Sequence, residues 1–184
     1  MKQESRRVKQ TKELLNESLL FFLEKKEIHQ ISITEICNYA DINRTTYYRY
    51  FNNPSDQLSK IEDNLFSELD KYVYDIIKTN KNPDSYFQSM LAYLTYLDSK
   101  KHMLNILIKC TPKNQFLPNF IDHMYGVLNA TCPFNIQSSN GIYAYTFASF
   151  GCIGLIVRWL TSEDTLDVHT IARLMTEYTS YFTI

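Results

Sequence analysis

The chain has 184 residues, only four of them Gly and five Pro, and a formal net charge of −1. That length can bury a sizeable core, and so little Gly and Pro leaves small room for linkers or disorder. A near-neutral charge argues against a polycationic coat for nucleic acid. The charge is unevenly placed, however: Lys2, Arg6, Arg7, Lys9 and Lys12 face one acid, Glu4, in the first twelve residues. Such a basic arm suits phosphate contact if a binding motif lies beside it, and is otherwise an ordinary solvated terminus. The segment 8–27 then places Leu15, Leu19, Phe22 and Leu23 at helical spacing between charged residues, which predicts an amphipathic helix.

Residues 33–58 hold the most informative pattern. Ser32 and Glu35 before an apolar run form an S-x-x-E capping box, so a helix should begin just after Ser32. Ile36 and Cys37 face inward, and Ala40 closes the helix where a larger side chain would block a crossing. Asp41 takes the turn, because Asp tolerates the left-handed backbone region better than most residues. Asn43 is a good N-cap for a second helix, RTTYYRYF. Tyr47, Tyr50 and Phe51 share a stripe, some of which must pack inward. Arg44, Thr45, Tyr48 and Arg49 are left on the outer faces. An exposed helix with two arginines, N-terminal hydroxyls and a phenol suits the major groove of DNA. With the preceding helix this reads as a three-helix head carrying a helix-turn-helix.

The segment NYADINRTTYYRYFNNPSDQL resembles the recognition segment of tetracycline-repressor (TetR) family regulators, whose usual form is A-G-V-s-x-x-T-l-Y-x-H-F-x-x-K-x-x-L. Ala40, Thr46, Tyr48, Phe51 and Leu58 match it, with Ile42 for Val, Asn43 for Ser, Tyr47 for Leu and Tyr50 for His. Asp41 stands at the usual Gly, and Pro54 at a Lys that members often place on a phosphate. The resemblance runs from about residue 10 to residue 60. Beyond it the length and helical pattern agree, and GCIGLIVRWL has a slight likeness to one branch of the family.

The remainder is predicted to be helical throughout. Residues 55–79, with Ser55 as N-cap, carry the row Leu58, Ile61, Leu65, Leu69, Tyr72 and Ile76, and would link the head to the rest. After a break at 79–82 and Asn82-Pro83, the segment 84–99 is apolar around most of its circumference, as befits a central bundle helix. Ser99 caps KKHMLNILIKC. Pro112 and Pro118 bracket an irregular piece before NFIDHMYGVLNA, and TCPFNIQSSN reads as a loop. Residues 139–157 contain no charge, so a membrane span is one reading. Arg158, the several Tyr and Thr, and the lack of a positive flank favour a bundle helix instead. Its small residues Gly141, Ala144, Ala148 and Gly151 fall in a row that lets another helix approach closely. The last helix, 167–182, has a stripe of Val168, Ile171, Leu174, Met175, Tyr178 and Phe182.

The fold expected is all-α: a DNA-binding head over residues 1–54 and a helical bundle over 55–184. Within the head, Thr34 begins the first motif helix, where hydroxyl and backbone N–H groups meet a phosphate. Arg44 and Arg49 are the candidates for guanine, and Thr45 and Thr46 for thymine methyls or phosphates. Tyr48 and Tyr50 match the family's phosphate-anchoring positions, although the stripe also permits a core place for Tyr50. Lys60 is a substitute for the lysine absent at Pro54. The resemblance implies a homodimer held by the last two helices and a small-molecule effector pocket within 80–184. The small-residue row and the last stripe support an interface built on Ala144, Ala148, Gly151, Leu155, Leu174 and Tyr178. Tyr93, Tyr96, Phe120, Tyr125, Tyr143 and Phe147 are pocket candidates, each with packed core as its alternative. The partners implied are a double-stranded DNA operator, an effector and a second copy, with no membrane.

Nothing in the sequence has the spacing of a nucleophile elbow, phosphate loop, metal-ligand pair or acid–base dyad. His29, His102, His123 and His169 are scattered. No enzyme chemistry, cofactor or metal is therefore expected, and the competing reading is a small-molecule-binding bundle or enzyme without DNA function. Cys37, Cys110, Cys132 and Cys152 lack C-x-x-C spacing and suit reduced, mostly buried thiols in a cytoplasmic protein; Cys110 and Cys132 lie near loop signals, where a redox sensor would be placed.

Overall fold

The computed structural model describes residues 5–79, 83–110, 116–131, 139–163 and 166–180. Among them are nine α-helices, a short 3-10 turn and no strand. The helices are α1 (Arg6–Leu23), α2 (Ile33–Ala40), α3 (Arg44–Tyr47), α4 (Pro54–Thr79), α5 (Pro83–Ser99), α6 (Lys101–Cys110), α7 (Phe116–Thr131), α8 (Ser139–Thr161) and α9 (Val168–Ser180). They form two compact units, Met1–Phe66 with Ile106–Asn114, and Ser67–Asn105 with Gln115–Ile184. Division thus falls inside α4, three turns beyond the boundary expected at 54/55.

The first unit is built on a row repeated every three or four residues. Leu15, Leu19 and Leu23 of α1, Ile36 and Cys37 of α2, Tyr47 and Phe51, and Leu58, Ile61 and Leu65 of α4 are all buried. Ile106 and Leu107 of α6 are buried too and belong to this unit, which the chain order does not suggest. Two polar ties fix the helices. The hydroxyl of buried Ser18 donates to the carbonyl of Ile36 (2.9 Å), and Gln57 Nε2 donates to Asn16 Oδ1 (3.2 Å). Truncating any of the fully buried leucines should cost about 2–5 kcal/mol.

The second unit packs α5 on α9, α9 on α8 and α8 on α7. Its core comprises Leu69, Met90, Tyr93, Leu94, Leu97, Phe116, Phe120, Met124, Ile153, Ile156, Trp159, Leu160, Ile171 and Met175. The indole N–H of Trp159 donates to the carbonyl of Leu166 (3.0 Å), pinning the end of α8 to the approach to α9. Asp167 then caps α9, accepting the amide of Thr170 (3.0 Å). Gly141–Thr161 has the length and hydropathy of a membrane span, with 33% of the window buried. Its inner face, including Cys152, Ile156 and Trp159, packs as a bundle helix does. Cys110 and Ile76 have no described side chain, and Cys132 and Phe182 lie outside the described residues.

Candidate nucleic-acid interface

The helix-turn-helix is assembled by local chemistry. Ser32 Oγ accepts the Glu35 amide (3.2 Å) while the Glu35 carboxylate accepts the Ser32 amide (3.0 Å), closing the capping box. Lys26 Nζ lies 2.6 Å from the same carboxylate. Hydrogen bonds from Lys26 and from Ser32 hold the Glu35 carboxyl at about 2. The helix ends at Asp41, which adopts the left-handed conformation (φ 53°, ψ 45°), while the amide of Ile42 reaches back to the carbonyl of Cys37 (2.9 Å). Asn43 Oδ1 accepts the Thr45 amide (2.8 Å) and starts the recognition helix.

That helix is shorter than the eight residues expected. α-Helical geometry runs from Arg44 to Tyr47, after which Arg49 and Tyr50 donate to the carbonyls of Thr46 and Tyr47 in tighter three-residue steps. Tyr47 is fully buried, and burial pushes its phenol well above the ordinary range. With Phe51 it anchors the segment. Arg44, Thr45, Tyr48 and Arg49 are exposed together on the opposite side, Tyr48 by 52%, while Thr46 and Tyr50 are half-buried. Thr34 is exposed at the second position of α2. The ammonium of Lys12, on α1, sits 5.5 Å from the Tyr50 ring centre. Ser55 is not the cap of α4: Asn53 Oδ1 accepts the amide of Asp56 (2.8 Å), and Pro54 occupies the first helical position, where its missing N–H costs nothing. Lys60 Nζ is bound to the Tyr50 carbonyl and to Asp56, at 2.9 Å each.

In the second unit the expected pocket residues separate. Tyr93 and Phe120 are fully buried core: the Tyr93 hydroxyl donates to Met124 Sδ (2.9 Å), and Phe120 stacks on Phe116. Tyr143 and Phe147 stand 76% and 69% exposed on the outer face of α8 rather than in the core. Tyr125 is at the edge, its ring against those of Tyr145 and Phe150. Tyr96 borders a cleft of about 400 Å³ with Glu68, Lys71 and Tyr72, and its hydroxyl donates to the Glu68 carboxylate. Of the expected interface residues, Ala148 is buried in its own chain. Ala144, Leu155 and Leu174 are half-buried, and Gly151 and Tyr178 are exposed. The outward face of α8 is therefore rotated from the small-residue row, and comprises Ile142, Tyr143, Phe147, Phe150, Gly151 and Gly154. A Cβ built on Gly151 or Gly154 meets nothing within 4 Å.

Residues 84–181 match a TetR-class family described as "Transcriptional regulator C-terminal region". The chain belongs to the TetR family of transcriptional regulators. It is 31% identical over 91 residues to the dhaKLM operon transcriptional activator DhaS of Lactococcus lactis, an alignment spanning 50% of this chain and 45% of that protein. The solved structure of a dihydroxyacetone kinase operon activator DhaS superposes with a TM-score of 0.64 at 19% identity, covering 93% of this chain and 94% of that one. A TetR regulator from Streptococcus agalactiae does so at 0.61 and 14%, over 95% and 96% of the two chains. At these identities the structural likeness is one of fold. TetR-family proteins are regulators rather than enzymes; they bind operator DNA and small molecules, typically as dimers. Sequence reasoning about this TetR protein missed Ile142, Phe150 and Gly154 on the α8 face. Phe150 lies three residues after Phe147, so the stripe was readable once that face was known to be outward.

Proposed function

We propose that this TetR regulator is a homodimer that binds a palindromic operator with Arg44, Thr45, Tyr48 and Arg49, and that a small-molecule effector releases it. The observation that carries the reading is the two-sidedness of residues 44–51: Tyr47 and Phe51 are sunk in the core, and that burial turns both arginines outward beside a phenol. Arginines read guanine edges and phenols bind phosphates. Thr34, Thr46 and Tyr50 flank them. The exposed aromatics of α8 and Tyr178 of α9 support a second copy as the dimer partner, since a contiguous apolar face of this kind is rarely left to water. The cleft at Tyr96 supports an effector site bounded by α4 and α5. Because α4 runs through both units, an effector that shifts it changes how the head meets the groove, with a coupling of about 1–3 kcal/mol.

The test is binding by the purified protein to the DNA flanking its own gene, with random duplex as control. A protected palindrome is expected, with half-sites about 34–36 Å apart and affinity falling steeply with salt. A dimer with no preference for any palindrome would sink the reading. DhaS is an activator by name, so the sign of regulation is tested by a promoter fusion, in which repression is the expected result.

A further inference from the structure

A polar arrangement joins the segment after the recognition helix to the first turns of α4. Lys60, in the second turn of α4, reaches back to the segment that follows α3, and its ammonium donates to the carbonyl of Tyr50 and to Asp56 Oδ2, both at 2.9 Å. The same carboxylate oxygen accepts the amide of Asn52 (2.8 Å). Asn53 Oδ1 in turn accepts the amide of Asp56 (2.8 Å), and the carbonyl of Asn53 accepts that of Gln57 (3.0 Å). Tyr50, Asn52 and the first turns of α4 are thus joined through one ammonium and one carboxylate. Carbonyls after the last turn of a helix have no intrahelical donor, and a cation there also suits the helix dipole.

We infer that Lys60 is a positioning residue, a strut with Asp56 that sets the angle between α4 and the recognition helix, rather than a phosphate contact; the inference rests on the DNA-binding reading above. Arg49 and Tyr50 lie at the end of the segment it braces. A displacement of α4 carries Lys60 with it and pulls on the Tyr50 carbonyl, so the strut is also the route by which movement of α4 reaches the groups that read DNA.

Charge and position separate the two roles. Lys60→Met removes a positive charge, whereas Asp56→Asn removes a negative one. For a phosphate contact the two should act in opposite directions; for a strut they should act in the same direction. The probe is a duplex selected by the wild-type protein from a random-sequence pool, with unselected duplex as control and binding measured across a salt series. The strut predicts that both variants weaken the selected duplex about tenfold, as for loss of one charge-assisted hydrogen bond. Unselected DNA should bind as before, the salt slope should hold, and Lys60→Arg should restore affinity. Faster exchange of the Asn52 amide in both variants is expected, and reports the brace without any DNA. The inference is overturned if Lys60→Met weakens selected and unselected DNA alike and lowers the slope by about 0.9 while Asp56→Asn strengthens binding. It is equally overturned if neither variant changes affinity or exchange. Failure of the wild type to select any sequence would strike the DNA reading first, and is recognisable as such.

Discussion

The two units differ in how their exposed side chains are held. In the head, each residue offered to solvent on the recognition segment is turned outward by a buried neighbour one to three positions away, between a side-chain N-cap and a braced C-terminal end. In the second unit α8 is a long apolar helix whose facing follows from the helices packed on it. Tyr143 and Tyr145 are two residues apart in one apolar helix, yet the first is exposed and the second buried. The lesson is that caps and turns orient a short helix, whereas only neighbouring helices orient a long apolar one.

The largest effect that would break this contrast is in the core of the second unit. Phe120→Ala should lower the unfolding free energy by about 3–5 kcal/mol in a urea titration. Tyr143→Ala and Phe147→Ala should change it by no more than about 0.5 kcal/mol at concentrations where the protein is monomeric, yet weaken self-association by sedimentation. Equal losses of stability for Phe120 and Phe147 would show that the outer face is wrongly assigned.

Next comes the division of labour in the head. Arg44→Ala and Arg49→Ala should each cost about 1–3 kcal/mol and relax preference at particular base pairs. Tyr48→Phe should weaken all sites alike, because a phosphate contact carries no sequence information. Reversal of that pattern in a binding-site selection would invert the roles.

Gly151 lies on the exposed face of α8. Its Cβ position is open in the chain, so Gly151→Leu should leave the monomer folded. In the dimer the added bulk should cost about 1–3 kcal/mol of association through overpacking. An equally tight dimer would move the interface away from this face.

The smallest effect lies in the capping box. The folded Glu35 carboxyl is held down to about 2 from an ordinary 4.5, so its stabilising contribution is fully present above pH 4.5 and is lost as pH falls toward 2. Glu35→Gln should therefore lower the melting temperature at pH 7, by an amount that shrinks as pH falls toward 2. A constant difference across that window would mean that the carboxylate's charge does not support the cap.

By itself the sequence determined the elements whose causes are neighbours in the chain. Ser32 with Glu35, the left-handed Asp41, and Asn43 mark three helix ends because each forms its bonds within five residues. Tyr47 and Phe51 were legible as an inward stripe for the same reason. The start of α4 was misplaced because two good caps, Asn53 and Ser55, flank Pro54, and proline at the first helical position selects the earlier. Tertiary structure alone decided which way the apolar helices turn. It buried Tyr93, Phe120 and Ala148, exposed Tyr143, Phe147 and Phe150, and brought Ile106 and Leu107 of α6 into the first unit. It also gave Lys60 a partner ten residues earlier in the chain. The physical reason is that an aromatic side chain at helical spacing fits a packed core and an outward face equally well, and the choice is made by the helices that cover it.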